Sequence, residues 1–194
     1  MNSPELQSGS GLVLVAPGGL ADAAVAEPLA ALLGLRLLAI PLEDPNHTLR
    51  DLGREPPGWL LPLSIDPGEA LGDGGCWAEV LAAWRQATLL LLPAQAPAGA
   101  PRAYTALLHG AAVPLVGLVQ CGGCWQPDVR RRDGLPWLGW LEPPEAAPVV
   151  SGTVIDDAAA QALRVACLRR WRELSAARPV QPVRHPPDAG GHPA

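Results

Sequence analysis

The chain contains no lysine and no phenylalanine, and all 14 of its basic residues are arginine. A missing amine excludes a Schiff base, a lysine general base and the lysine of a phosphate-binding P-loop. Tyr104 is the single tyrosine, so any base-stacking platform would have to use tryptophan. Charge is scarce, at 17% of residues, and the net charge is −5. Nucleic-acid affinity rests on neutralising phosphates with a basic face. The dense basic runs are only Arg130-Arg131-Arg132 and the group Arg164, Arg169, Arg170 and Arg172, so nucleic acid is not an expected partner. Long hydrophobic runs are missing too. The longest, Ala87–Ala94, is interrupted by Thr88 and Pro93, far short of the roughly 20 residues of a membrane span. Met1–Gly11 has neither a basic n-region nor an apolar h-region, so no signal peptide is expected. Four cysteines in 194 residues do not make a disulfide scaffold. A reduced, cytoplasmic protein without membrane association is expected.

What is present is apolar bulk and punctuation. Apolar residues make 48% of the chain, with 21 Gly and 23 Pro between them. Short runs of Leu and Val alternate with helical patterns. Leu12–Ala16, Leu35–Leu42, Trp59–Ile65, Thr88–Pro93, Val113–Gln120 and Leu135–Leu141 read as strands or extended runs. Ala23–Leu33, Cys76–Gln86, Arg102–Ala111 and Asp156–Ala176 read as helices. Asp22 is placed to cap the first of them and Gly34 to end it, while Pro28 inside it should break or kink it. Glu43-Asp44-Pro45-Asn46 reads as a turn, and Cys121–Gly134 as a long loop. Trp77 and Trp84 share one helix face and read as core. The pattern predicts an α/β three-layer sandwich with a mostly parallel sheet. Residues 11–176 form its single domain, after a disordered lead at 1–10 and before a Pro/Gly/His-rich disordered tail at 177–194.

In such folds ligands bind beyond the carboxyl ends of the strands. The turn Ala16-Pro17-Gly18-Gly19-Leu20-Ala21-Asp22 sits where backbone amides would cradle a phosphate. It lacks G-x-x-x-x-G-K-[ST], and Asp22 sets a negative charge where the phosphate should lie. Asp66 and Glu69 are the carboxylates that would hold Mg²⁺, or are simply turn residues. Cys121-Gly122-Gly123-Cys124 is a C-x-x-C after a strand. It reads as a redox pair, as part of a zinc site with Cys76, or as incidental thiols. Cys167 falls on an apolar helical stripe and reads as core. Trp137 and Trp140 suit a partner surface together with Arg130, Arg131 and Arg132.

The stretch from Trp77 to about Glu142 resembles the second half of dethiobiotin synthetase and its relatives among the P-loop ATPases. A helix with Val80-Leu81-Ala82-Ala83-Trp84 feeds the strand Leu89–Pro93. After Ala106-Leu107-Leu108, the strand Val113-Pro114-Leu115-Val116-Gly117-Leu118-Val119 is similar to the family's -P-V-x-G-V-V- strand. Leu135-Pro136-Trp137-Leu138-Gly139-Trp140-Leu141 is similar to its -P-V-L-G-x-I-P- segment. The resemblance covers about a third of the chain and implies an ATP site using Mg²⁺. The adenine-reading Asn of that family falls at Cys121, with Gln120 just before it. The family's phosphate loop would begin at Ala16–Asp22, where its Lys and Thr are missing. Without them the charge stabilisation of phosphoryl transfer is lost, and dethiobiotin synthesis is not expected.

Three functions follow as expectations. The first is a non-catalytic P-loop-like domain without a resident cofactor, binding a protein partner or a second copy of itself. The second is an atypical nucleotide or phosphate binder using Gly18, Gly19, Asp66, Gln120 and Cys121. The third is a thiol or zinc protein built on Cys76, Cys121 and Cys124.

Overall fold

The computed structural model describes residues 11–42, 44–72, 74–142 and 157–176. The lead at 1–10 and the tail at 177–194 lie outside the described residues. Six strands, β1 (Leu12–Val15), β2 (Arg36–Leu37), β3 (Trp59–Pro62), β4 (Thr88–Pro93), β5 (Leu115–Cys121) and β6 (Trp137–Leu141), form one sheet in the order β2-β3-β1-β4-β5-β6. Every pairing is parallel. The helices are α1 (Ala23–Leu33), α2 (Pro45–Leu52), α3 (Trp77–Ala83), α4 (Ala100–Gly110), α5 (Pro127–Arg132) and α6 (Asp157–Ala176).

Alternation along each strand divides the core in two. Leu12, Leu14, Leu60, Leu89 and Leu91 face α1 and α6, where Leu29, Leu33, Leu163, Cys167 and Trp171 meet them. Val13, Val15, Leu61, Leu90 and Leu92 face the opposite way, onto Leu49 and Leu52 of α2, Trp77 and Leu81 of α3 and Leu108 of α4. The sheet is thus covered on both faces, which is why its strands read as unbroken apolar runs. Each buried Leu contributes about 1.5–3 kcal/mol. With phenylalanine missing, tryptophan supplies the aromatic bulk. The indole Nε1 atoms of buried Trp59 and Trp77 have no hydrogen-bond partner, a cost that phenyl rings would not incur.

Local chemistry sets the ends of α1. Asp22 Oδ1 accepts from the Val25 amide at 3.0 Å, and Gly34 closes the helix in the left-handed conformation. Pro28 does not break it: α1 runs through to Leu33. The carbonyl that Pro28 leaves without a donor is that of Ala24, an exposed residue within reach of water. Residues 44–46 of the segment read as a turn start α2 instead, and residue 43 lies outside the described residues. Asp44 Oδ1 accepts from the His47 amide at 3.0 Å and Pro45 takes the first helical position. The run 35–42 forms only the two-residue edge strand β2. The loop read at 121–134 contains α5, so Arg130, Arg131 and Arg132 are helical. Trp84 is not core: it follows the end of α3, 41% exposed, and donates from Nε1 to Asn46 Oδ1 at 3.1 Å.

The connections position the site. The chain leaves β1 through α1 toward β2 on one side, and leaves β4 through α4 toward β5 on the other. The carboxyl ends of neighbouring β1 and β4 are therefore where the strand order diverges, the crevice that open α/β sheets use for ligands.

Candidate functional site

The turn after β1 is a short 3₁₀ segment, Pro17–Gly19, with Gly18 at φ +63° and Gly19 at φ +70°. Both angles lie in the left-handed region that favours glycine. A side chain on Gly18 would meet nothing within 4 Å, so this residue faces open space. Gly19 is packed: a Cβ there would lie 2.7 Å from the Ser64 backbone oxygen, beyond β3.

The loop after β3 brings Asp66 to this turn. Gly18 donates its amide to Asp66 Oδ2 at 2.6 Å, and Gly68 donates to Oδ1 at 2.8 Å. The Tyr104 hydroxyl, from α4, donates to the same Oδ2. Burial opposes the charge on Asp66, but the hydrogen bonds from Tyr104, Gly68 and Gly18 outweigh it and hold the carboxyl below its ordinary range. Tyr104 moves the other way. Burial, its bond to Asp66 and the nearby negative charge all push its phenol above the usual value. The phosphate-turn amide expected to be open to a ligand thus carries a carboxylate of the same chain. Glu69 is exposed, and Asp66 faces amides and a phenol.

A second cluster surrounds Gln120, at the end of β5 and only 2% exposed. Its Oε1 accepts from Arg130 Nε at 3.2 Å and Nη2 at 2.8 Å. Its Nε2 donates to Gly122 O at 2.8 Å and Cys124 O at 3.3 Å. An amide side chain has two acceptor and two donor positions, and all four are used. The Arg130 guanidinium lies 4.3 Å from the centroid of the Trp137 ring, a cation–π distance. Trp137 in turn donates from Nε1 to Asp133 Oδ2 at 2.8 Å and meets Trp125 edge-on at 6.2 Å. Trp140 donates from Nε1 to Gly122 O at 3.0 Å.

Of the residues read as a partner surface, Arg130, Trp137 and Trp140 are thus committed to internal contacts. The Arg130 side chain is 26% exposed against 80% for Arg131. Arg131 and Arg132 point outward beside the exposed Val129.

The cysteines are not gathered. Cys76 precedes α3 on a concavity of about 490 Å³ that also holds Asp44, Asn46 and Glu79, and its amide donates to Glu79 Oε2 at 3.2 Å. Cys121 is buried and Cys124 exposed. Burial first, and then the Asp22 carboxylate, push the Cys121 thiol up. Burial takes Cys167 up to about 12, consistent with its place in the core. Among the described residues no three of His, Cys, Asp and Glu are placed to share a metal ion, so Cys76, Cys121 and Cys124 do not form such a set. Nor does any helix among the described residues have the length and apolarity to cross a membrane.

The Asp66–Tyr104 contact and the Gln120–Arg130 contact were not visible in the sequence. The first joins residues 38 apart and the second joins residues ten apart. The one available signal was positional: Gln120 falls at the carboxyl end of a strand, and Asp66 and Arg130 in segments that follow strands.

Compared with protein-family models and with curated proteins, the chain matches none.

Proposed function

We propose that this chain is a non-catalytic α/β domain, a degenerate relative of the dethiobiotin synthetase-like P-loop ATPases, that acts by binding a protein partner or a second copy of itself. The observation that carries this reading is the Asp66 carboxylate seated on the Gly18 amide. A γ- or β-phosphate arriving at that turn would meet a fixed negative charge, and the chain has no lysine to offset it. The Gln120 amide supports the same reading, because a base seeking its edge would first have to displace Arg130.

With those contacts satisfied internally, the outer face of α5 stays exposed and can meet a partner. It offers Val129, Arg131 and Arg132 without disturbing the Gln120 network. A reduced cytoplasmic setting belongs to this reading, with all four thiols free.

The test is calorimetric titration of the reduced, folded protein with ATP and with ADP, each with Mg²⁺. No binding heat at several temperatures is expected. Affinity tighter than roughly 100 μM, about −5.5 kcal/mol, would overturn the reading in favour of an atypical nucleotide binder.

A further inference from the structure

The contacts of Asp66 exceed what its own loop needs. An aspartate that only shapes a turn bonds an amide two residues on, and Oδ1 does this with Gly68. Oδ2 does something else. It collects the Gly18 amide from 48 residues away and the Tyr104 hydroxyl from 38 residues away. Three donors from three separate segments converge on one carboxylate. All are neutral, two amides and a phenol, so no ion pair accounts for the charge being held there. Gly18 itself borders open space, since an added Cβ there would touch nothing.

We infer that Gly18, Gly68 and Tyr104 form an oxyanion cradle that Asp66 occupies from within the chain, as a tethered substitute for a small phosphate or carboxylate. This rests on the reading above that the turn after β1 is a degenerate phosphate turn. The tether explains why the cradle is closed in the native chain. A carboxylate attached to the loop faces its donors at an effective concentration of millimolar or more, and a free anion must compete with it while sharing its charge. Removing the carboxylate leaves two donors, Gly18 and Tyr104, aimed at the place of Oδ2 and one, Gly68, at that of Oδ1, spaced as the two oxygens of an entering oxyanion would need.

The experiment compares wild type, Asp66→Ala and Asp66→Asn in thermal unfolding, with added inorganic phosphate or acetate and with chloride at matched ionic strength. Asp66→Ala is expected to unfold earlier than wild type and to recover saturably with phosphate or acetate, but not with chloride. Its apparent affinity for phosphate should exceed that of wild type by at least about tenfold. Asp66→Asn still fills the cradle and should show no such rescue. A folded Asp66→Ala that ignores phosphate and acetate, or a rescue of equal size in wild type, overturns the proposal. If Asp66→Ala does not fold, the decision passes to wild-type amide resonances. Those of Gly18 and Gly68 should titrate together with one midpoint below the ordinary carboxylate range, and independent or absent titration at either overturns the cradle. Failure here leaves the titration with ATP untouched, because that test concerns the wild-type chain alone.

Discussion

Asp66 Oδ2 accepts from the Gly18 amide at 2.6 Å while also accepting from the Tyr104 hydroxyl, so a single oxygen ties the turn after β1 to α4 across the mouth of the β1–β4 crevice. The consequence is a pH dependence of known sign. Hydrogen bonding holds Asp66 below its ordinary range in the folded state. The unfolded chain therefore takes up this proton first as the pH falls. The stability that Asp66 contributes is complete above about pH 4, the unfolded value, and is lost as pH drops through the lowered native value. Urea midpoints of wild type and Asp66→Asn should differ most at neutral pH and converge in acid. A gap that stays constant from neutral pH into strong acid would show that the carboxylate charge does not matter.

Tyr104 gives an independent reading of the same contact. It is the only tyrosine, so tyrosinate absorbance reports this residue alone. Burial and the Asp66 charge raise its phenol, and a group raised in the fold contributes stability that is present below about pH 10 and lost as pH rises through the native value. The titration midpoint should lie above that of the unfolded chain and fall back toward it in Asp66→Asn. Tyr104→Phe removes a hydrogen bond to a charged acceptor and should cost about 1.5–3 kcal/mol, less to the extent that water reaches the carboxylate.

Arg130 and Arg131 are neighbours in sequence but should behave differently. Arg130→Ala strips both donors from Gln120 Oε1, an atom of a residue 2% exposed, and removes the stacking on Trp137. An unsatisfied buried acceptor costs about 1–3 kcal/mol. Arg131 pairs with the exposed Asp128, and its replacement by Ala should stay within about 0.5 kcal/mol. Denaturant unfolding of the two variants measures this directly. Pairing Arg130→Ala with Gln120→Leu should cost less than the sum of the two, because each already destroys the same contact.

Much of the frame was legible from local signals. Thr88–Pro93 was bounded correctly because a run of Leu between a helix and a loop has few other readings, and of the helical stripe Ala160, Leu163, Cys167, Trp171 and Leu174 the middle three are buried and the outer two half-buried. Asp22 and Gly34 cap α1 as expected. The losses have physical causes. The helix α2 was hidden because Asp44-Pro45 serves equally as a turn and as a cap with proline behind it, and burial of Thr48, Leu49 and Leu52 decides between them. Gln120 gave no hint of its fourfold bonding, since nothing along the chain announces that an arginine ten residues on will return to it. Asp66 and Tyr104 were each in view, Asp66 as a ligand candidate, but only the fold sets them against one another.

Cysteine reactivity should follow exposure and not the C-x-x-C spacing. The thiolate is the reacting form. Burial and Asp22 raise Cys121, and burial takes Cys167 to about 12. With a limiting alkylating reagent at neutral pH, Cys124 should be labelled first and Cys76 next, while Cys121 and Cys167 react only on unfolding. Peptide mapping of the labelled protein checks the order. Equal, rapid labelling of Cys121 and Cys124 would revive the redox-pair reading.

Gly18 and Gly19 separate the shape of the turn from its packing. Both hold positive φ, so alanine at either meets backbone strain of about 1–2 kcal/mol. At Gly18 the added methyl points into open space and the amide remains to serve Asp66. At Gly19 it would lie 2.7 Å from the Ser64 carbonyl oxygen, a backbone atom that cannot rotate away. The turn must then withdraw from the β3 loop, and the Gly18 amide withdraws with it. Gly19→Ala should therefore lose more stability than Gly18→Ala. It should also shift the Tyr104 titration, because an Asp66 deprived of the Gly18 amide holds its proton donors differently, whereas Gly18→Ala should leave that midpoint at the wild-type value. If both variants keep the wild-type tyrosinate midpoint, the position of the turn does not govern the carboxylate, and the coupling between Gly18, Asp66 and Tyr104 is weaker than their geometry requires.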